Sequence, residues 1–160
     1  MSKPERVMIK EPTVGRTIGI VGDIYRFLAV SEETGGRYSM FEATVLPGGG
    51  PPPHVHRRED ETFFVLEGEI TFQVGDERRV AKPGTFVHMP IGNLHAFKNE
   101  TDEPAKMLIS FAPAGLEEMF FEVGRELAHG ELPDEPSPQE IERMLEAASR
   151  YGIEYNLPTN

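Results

Sequence analysis

Between residues 47 and 53 the chain reads Pro-Gly-Gly-Gly-Pro-Pro-Pro. No helix can run through this segment, and no central strand either, because the prolines lack the amide donors that both ladders need. Strand-like sequence resumes at once on both sides, so the segment reads as a rigid loop inside a sheet protein rather than a linker between domains. It delivers His54 and His56, which stand two apart and therefore share one face of the strand that follows.

Short β-branched and aromatic runs fill the rest of the first two thirds. Thr17–Val21 and Ile24–Val30 flank a Gly22-Asp23 turn, and Arg37–Leu46 follows a turn over Glu32–Gly36. Thr62–Leu66 and Ile70–Val74 flank Glu67-Gly68-Glu69, and Arg78–Ala81, Thr85–Met89, His95–Asn99 and Lys106–Phe111 complete the series. About ten strands with turns every few residues and no helix between them predict an all-β, antiparallel jelly-roll barrel. Sixteen glycines and fourteen prolines supply the turns.

After Pro113 the period changes. Leu116, Met119, Phe120, Val123 and Leu127 recur at three- and four-residue steps, as on one face of a helix. Ser137-Pro138-Gln139-Glu140 has the form of a capping box with proline in the first turn, Ile141, Met144, Leu145 and Ala148 form an apolar stripe, and Gly152 ends the helix. The expected organisation is an N-terminal arm over 1–16, a barrel over 17–113 and a helical extension over 114–160 packed on the barrel. The extension either covers the barrel's outside or a dimer seam, or places Met119, Phe120 and Phe121 over the mouth as a lid.

His54, His56, Glu61 and His95 are the candidate metal ligands. Three imidazoles and a carboxylate suit a divalent first-row transition metal. Glu61 lies an odd five residues beyond His56, so a turn or bulge across Arg57–Asp60 is needed to return it to the same face. His95 follows the turn Pro90-Ile91-Gly92-Asn93. The expectation is three ligands from one hairpin and one from a distant strand, with coordination positions left open. On the same alternation Phe63 and Val65 share the face of Glu61, and Phe97 that of His95, giving an apolar, aromatic surrounding. His88 reads as structural or as a support to a ligand, and His129 as solvated.

The donors stand in two ordered frames: Gly48, His54, His56, Glu61 and Gly68, then Gly84, Pro90, Gly92, His95 and Asn99. Both frames match the two motifs of the cupin superfamily at every position, and the short stretch Glu69–Pro83 between them resembles that of bacterial single-domain cupins. The chain is somewhat similar to quercetinase-type dioxygenases. The resemblance implies an enzyme, a metal-dependent oxygenase acting on a small aromatic or enolic molecule. Glu61 would be both ligand and catalytic base, and iron, nickel or manganese would be the metal ahead of zinc. It also implies a homodimer. Two other readings stay open: a barrel that binds a small molecule without turnover, and a non-redox metal-dependent isomerase or lyase.

Composition narrows the partners. A net charge of −11 and a pI near 4.9, with no dense basic patch, argue against nucleic acid. Without cysteine there is no disulfide, thiolate ligand or thiol nucleophile. No run approaches a membrane span and the N-terminus has no apolar signal core, so the expectation is a cytoplasmic protein with a small-molecule partner.

Overall fold

The computed structural model describes residues 6–157. The first five residues of the expected arm, and the last three of the expected extension, lie outside them. Two antiparallel sheets face each other. The larger is built from β1 (Thr17–Ile20), β2 (Asp23–Ala29), β3 (Ser39–Val45), β5 (Asp60–Glu67), β8 (Phe86–Met89), β10 (Ala105–Ala112) and β11 (Arg125–Glu126), in the order β11-β1-β2-β3-β10-β5-β8. The smaller holds β4 (His54–His56), β6 (Ile70–Val74), β7 (Glu77–Ala81), β9 (His95–Lys98) and β12 (Ile153–Tyr155), in the order β12-β4-β9-β6-β7. Three α-helices, α1 (Ser31–Thr34), α2 (Glu117–Val123) and α3 (Pro138–Ala148), and a 3-10 turn over Ser149–Tyr151 complete the elements of the described residues. The jelly-roll barrel with helices near its C-terminal end is as expected, apart from the one-turn α1 where only a turn was expected.

Strict alternation in β2, β3 and β10 buries every second residue. Their inward side chains meet in one aromatic cluster, in which Phe41 lies 4.5 Å from Tyr25, 5.1 Å from Phe27 and 5.8 Å from Phe111, centroid to centroid. Phe120 of α2 packs edge-on against Phe41 at 5.8 Å. Such offset and edge-to-face contacts add to simple area burial.

The C-terminal region departs from a purely helical extension laid on the barrel. The period that runs on to Leu127 stops at Val123. Gly124 passes so close to β1 that a β-carbon there would stand 2.2 Å from Ile18 Cγ2. Arg125 and Glu126 then pair with Gly19 and Ile18 instead of continuing the helix. Further on, Ile153 and Tyr155 pair with His56 and His54. Tertiary pairing has overridden local helical periodicity at both points. The capping box is half formed. Ser137 accepts from the Glu140 amide as expected, but the Glu140 carboxylate accepts the amide of Val21, 2.8 Å away in the β1–β2 turn. α3 is thereby tied to the barrel mouth.

Candidate metal centre

The chain delivers each donor by a local device. Gly50 has a φ of +123° and lies against Phe97, where a β-carbon would meet the carbonyl oxygen at 2.1 Å, so only glycine lets the loop pass here into β4. Asp23 Oδ1 accepts the Leu46 amide at 3.2 Å and holds the entry to that loop. In β4, His54 and His56 face inward and Val55 outward. The chain then bends at Arg57 and Arg58 and enters β5, where Glu61, Phe63 and Val65 all face the interior. The turn before His95 is pinned to both segments. The Gly92 amide donates to the His56 carbonyl at 2.9 Å, and the Ile91 amide to Asp60 Oδ1 at 3.0 Å. His54 and His95 stand directly opposite each other across β4 and β9.

The expectation of three ligands from one hairpin needs correction. β4 and β5 belong to different sheets, so the three histidines come from the smaller sheet and Glu61 from the larger. The cluster therefore bridges the two walls of the barrel. All four residues are buried, and their ligand atoms lie within 4.8 Å of one another.

Hydrogen bonding shows how well this set fits a cation. His54 Nδ1 lies 2.8 Å from the Pro52 carbonyl, and His95 Nδ1 2.9 Å from that of Asn93. A carbonyl can only accept, so both Nδ1 atoms carry protons and both rings turn Nε2 inward. There His54 Nε2 lies 3.1 Å from His56 Nε2, and His95 Nε2 2.8 Å from Glu61 Oε2. Glu61 Oε2 is also 3.1 Å from His56 Nε2. Acceptors crowded like this require protons or a cation between them, and a single divalent ion satisfies all four at once.

The charges follow from this crowding. Burial pushes the Glu61 carboxyl up, yet the hydrogen bonds from His56 and His95 hold it down at about 2. Burial is also the main cause that lowers His54 to about 4, against the pull of Glu61. Burial opposes protonation of His56 as well, but Glu59 and Glu61 together raise it to about 9. His56 is therefore an imidazolium at neutral pH in the metal-free protein, and metal must displace its proton. Metal uptake at pH 7 is expected to release close to one proton, read from the dependence of the calorimetric enthalpy on buffer ionisation. The sign for stability follows. A raised histidine stabilises the metal-free fold below its unfolded value of 6.5 and loses that contribution as pH climbs through 9. Uptake with no proton released at pH 7 would contradict this charge state.

Glu59 is a site residue that the sequence reading missed. It is buried, and its Oε2 lies 3.6 Å from His56 Nδ1, with no hydrogen bond to either atom. Within a polar tetrad at a bend it looked like any solvated acid. His88, by contrast, is half exposed on the outer face of β8, 3.9 Å from Asp60, and does not reach the cluster. His129 is exposed, as expected.

A cavity of about 80 Å³ opens on His54, His56 and Glu61. Phe41, Phe111, Met119, Phe120, Met144 and Ile153 supply its apolar wall, so both α2 and α3 close the mouth. Phe121 lies off the cavity, packed edge-on against Phe27 and under the Arg16 guanidinium. No lysine or arginine lines the cavity among the described residues. Its polar groups are Asp23, Tyr25 and Tyr155. Burial raises the Asp23 carboxyl to about 7, against the Leu46 and Gly50 amides that pull it down.

Residues 41–111 match the model of the Cupin domain family. The chain is similar to quercetin 2,3-dioxygenase of Bacillus subtilis (strain 168), with 26% identity over 129 residues that span 79% of this chain and 38% of that protein. A solved recombinant oxalate oxidase in complex with glycolate superposes with a TM-score of 0.50 and 30% identity, over 58% of this chain and 52% of that one. The polyketide cyclase RemF of Streptomyces resistomycificus shares the fold, with a TM-score of 0.57 and 22% identity over 67% and 79% of the two chains. The chain thus spans well under half the length of the dioxygenase and about half of the oxidase. Among the described residues no helix is long and apolar enough to cross a membrane.

Proposed function

The chain belongs to the cupin superfamily, and from that premise we propose that it is a metal-dependent oxygenase of small, neutral enolic or phenolic molecules. His54, His56, Glu61 and His95 hold the ion, with iron, nickel or manganese ahead of zinc. The observation that carries the reading is the cavity itself, a four-donor cluster at one end of an apolar, aromatic chamber that no lysine or arginine lines among the described residues. Beyond the ion itself, such a chamber offers nothing to pair with the charge of a carboxylate or phosphate, whereas a neutral enol loses little on entering it.

When bound, the metal supplies Lewis acidity that lowers the pKa of a nearby hydroxyl and, if redox-active, a route for electrons to oxygen. The protein's part is proton transfer and exclusion of water. Glu61 is ionised at neutral pH and, among the described residues, is the only carboxylate within reach of both His56 Nε2 and His95 Nε2. It accepts the proton of an enol or phenol hydroxyl presented to the cluster. Phe111, Phe120 and Met119 keep bulk water from the reacting atoms.

Size favours the smaller substrates. A cavity of roughly 150 Å³ holds benzene, about twice the 80 Å³ present here. On this measure even a compact enol needs the wall to give a little, while a flavonol, several times larger, requires a much greater shift of α2. The test is oxygen consumption by iron-, nickel- or manganese-loaded protein with a graded series from acetylacetone to flavonols. Glu61→Gln is expected to cut turnover by about two to four orders of magnitude, the range of general-base catalysis. Fully loaded protein that consumes no oxygen with any member of the series would overturn the oxygenase reading.

One observation favours a second reading. Asp23 places a carboxyl that titrates near 7 in the same cavity as the ionised Glu61. Two acid–base groups of different strength are what a proton-shuffling isomerase needs. Incorporation of solvent deuterium into substrate carbon under nitrogen would identify that chemistry.

A further inference from the structure

Tyr25 and Tyr155 are two phenols that the cluster's own chemistry leaves unused. Tyr25 comes from β2 of the larger sheet, and Tyr155 from β12 at the edge of the smaller one, directly opposite His54. Both line the cavity. The Tyr155 ring stands 5.7 Å from the His54 ring, and the Tyr25 ring packs against Phe41 and Phe120. Tyr25 is buried, and Tyr155 is partly buried.

Among the described residues no protein group forms a hydrogen bond with either hydroxyl, and neither is one of the fully enclosed unpaired atoms, which are Ser39 Oγ, His56 Nδ1 and Glu59 Oε2. A phenol in a cavity wall without a protein partner is available to whatever enters the cavity. Asp23, the other polar group on this wall, is already committed, with Oδ1 accepting from the Leu46 amide. The phenols are not. Burial first, and then the charge of Glu61, raises Tyr155 to about 12, and burial, Asp23 and Glu61 in that order raise Tyr25 above the usual phenol range. Both therefore keep their protons and act as neutral donors. Both residues line the same cavity as His54, His56 and Glu61.

We propose that Tyr25 and Tyr155 form a second polar pole of the cavity and select substrates that carry two neighbouring oxygens, an α-hydroxycarbonyl or its enediol form. One oxygen meets the His/Glu cluster, and the other takes hydrogen bonds from the phenols. The C-terminal strand β12 thereby supplies a specificity residue to a site whose four candidate ligands all lie within residues 41–111. This assignment rests on the reading that the cavity takes a neutral enolic substrate.

The test uses the full-length, metal-loaded protein with acetoin as probe and butanone, which lacks the hydroxyl, as its control. Calorimetry or ligand-observed NMR gives the preference for acetoin over butanone in wild type, Tyr25→Phe, Tyr155→Phe and the double variant. Wild type is expected to prefer acetoin by about tenfold, the size of one net hydrogen bond to a buried donor. Each single variant lowers the preference, and the double variant brings it within twofold of unity, with metal content and melting temperature unchanged. A preference that survives in the double variant overturns the assignment and leaves the neutral-enol reading standing. Loaded wild type that binds neither compound overturns that reading and the assignment with it.

Discussion

Replacing His95 with alanine is expected to lower metal affinity by well over about 100-fold while leaving the barrel folded. Removing a residue that merely orients a ligand costs about 10- to 100-fold, and His95 stands in the cluster itself, its Nε2 2.8 Å from Glu61 Oε2. The substitution is also the cleanest of the four. Glu61 keeps His56 as a partner at 3.1 Å, so no buried carboxylate is stranded. Removing His56 instead would leave both Glu59 and Glu61 buried without that cation. The measurement is metal content after dialysis against a weak chelator, beside the rise in melting temperature on adding metal. Wild type gains stability by mass action, and the variant does not. His88→Ala serves as control, because that ring lies half exposed on the outer face and should change neither reading. Near-stoichiometric metal in His95→Ala would remove the residue from the ligand set.

The cluster was legible in sequence because its delivery is local. Two histidines in alternation, a glycine–proline loop before them and a glycine-containing turn before His95 are rules of single strands and turns. Which sheet each strand joins is not local. Nothing in Arg57–Asp60 says that the bend carries the chain across the barrel, and so the hairpin expected for His54–Glu61 became a bridge between sheets. The burial of Glu59 follows from that crossing and was equally invisible. At the C-terminal end the local signals pointed the wrong way. Leu127 keeps the helical period of α2, yet it packs over Gly19 after a strand pairing that only the folded β1 edge can offer. Ile153–Tyr155 is three residues long and follows a helix-ending glycine, so it reads as a tail. Its partner strand lies about a hundred residues earlier, beyond the reach of any periodicity argument.

Deleting residues 149–160 is expected to damage the site as well as the fold, for the same reason. β4 is only three residues long, and its pairing with β9 is confined to His54 opposite His95. Its other edge is covered entirely by β12, with Ile153 against His56, Glu154 against Val55 and Tyr155 against His54. The contacts beyond the ladder extend the clasp. The Arg57 amide donates to the Gly152 carbonyl and the Asn156 amide to that of Pro53, both at 2.8 Å, and Arg58 Nη1 donates to the Arg150 carbonyl at 2.9 Å. Burial of Ile153 contributes about 2 kcal/mol, and each of these hydrogen bonds about 1 kcal/mol net. A loss of roughly 5 kcal/mol corresponds to a fall of about 15 °C in melting temperature for a domain of this size. Metal affinity should fall with it, because two of the three histidines sit on the strand that loses its partner. Ile153→Ser, which keeps the backbone pairing and removes only the buried side chain, should give about two fifths of the thermal effect and retain the metal. If the truncated chain instead melted with wild type and held a full complement of metal, β12 would be a wrapper on a self-sufficient barrel, and Tyr155 would lose its claim on the site.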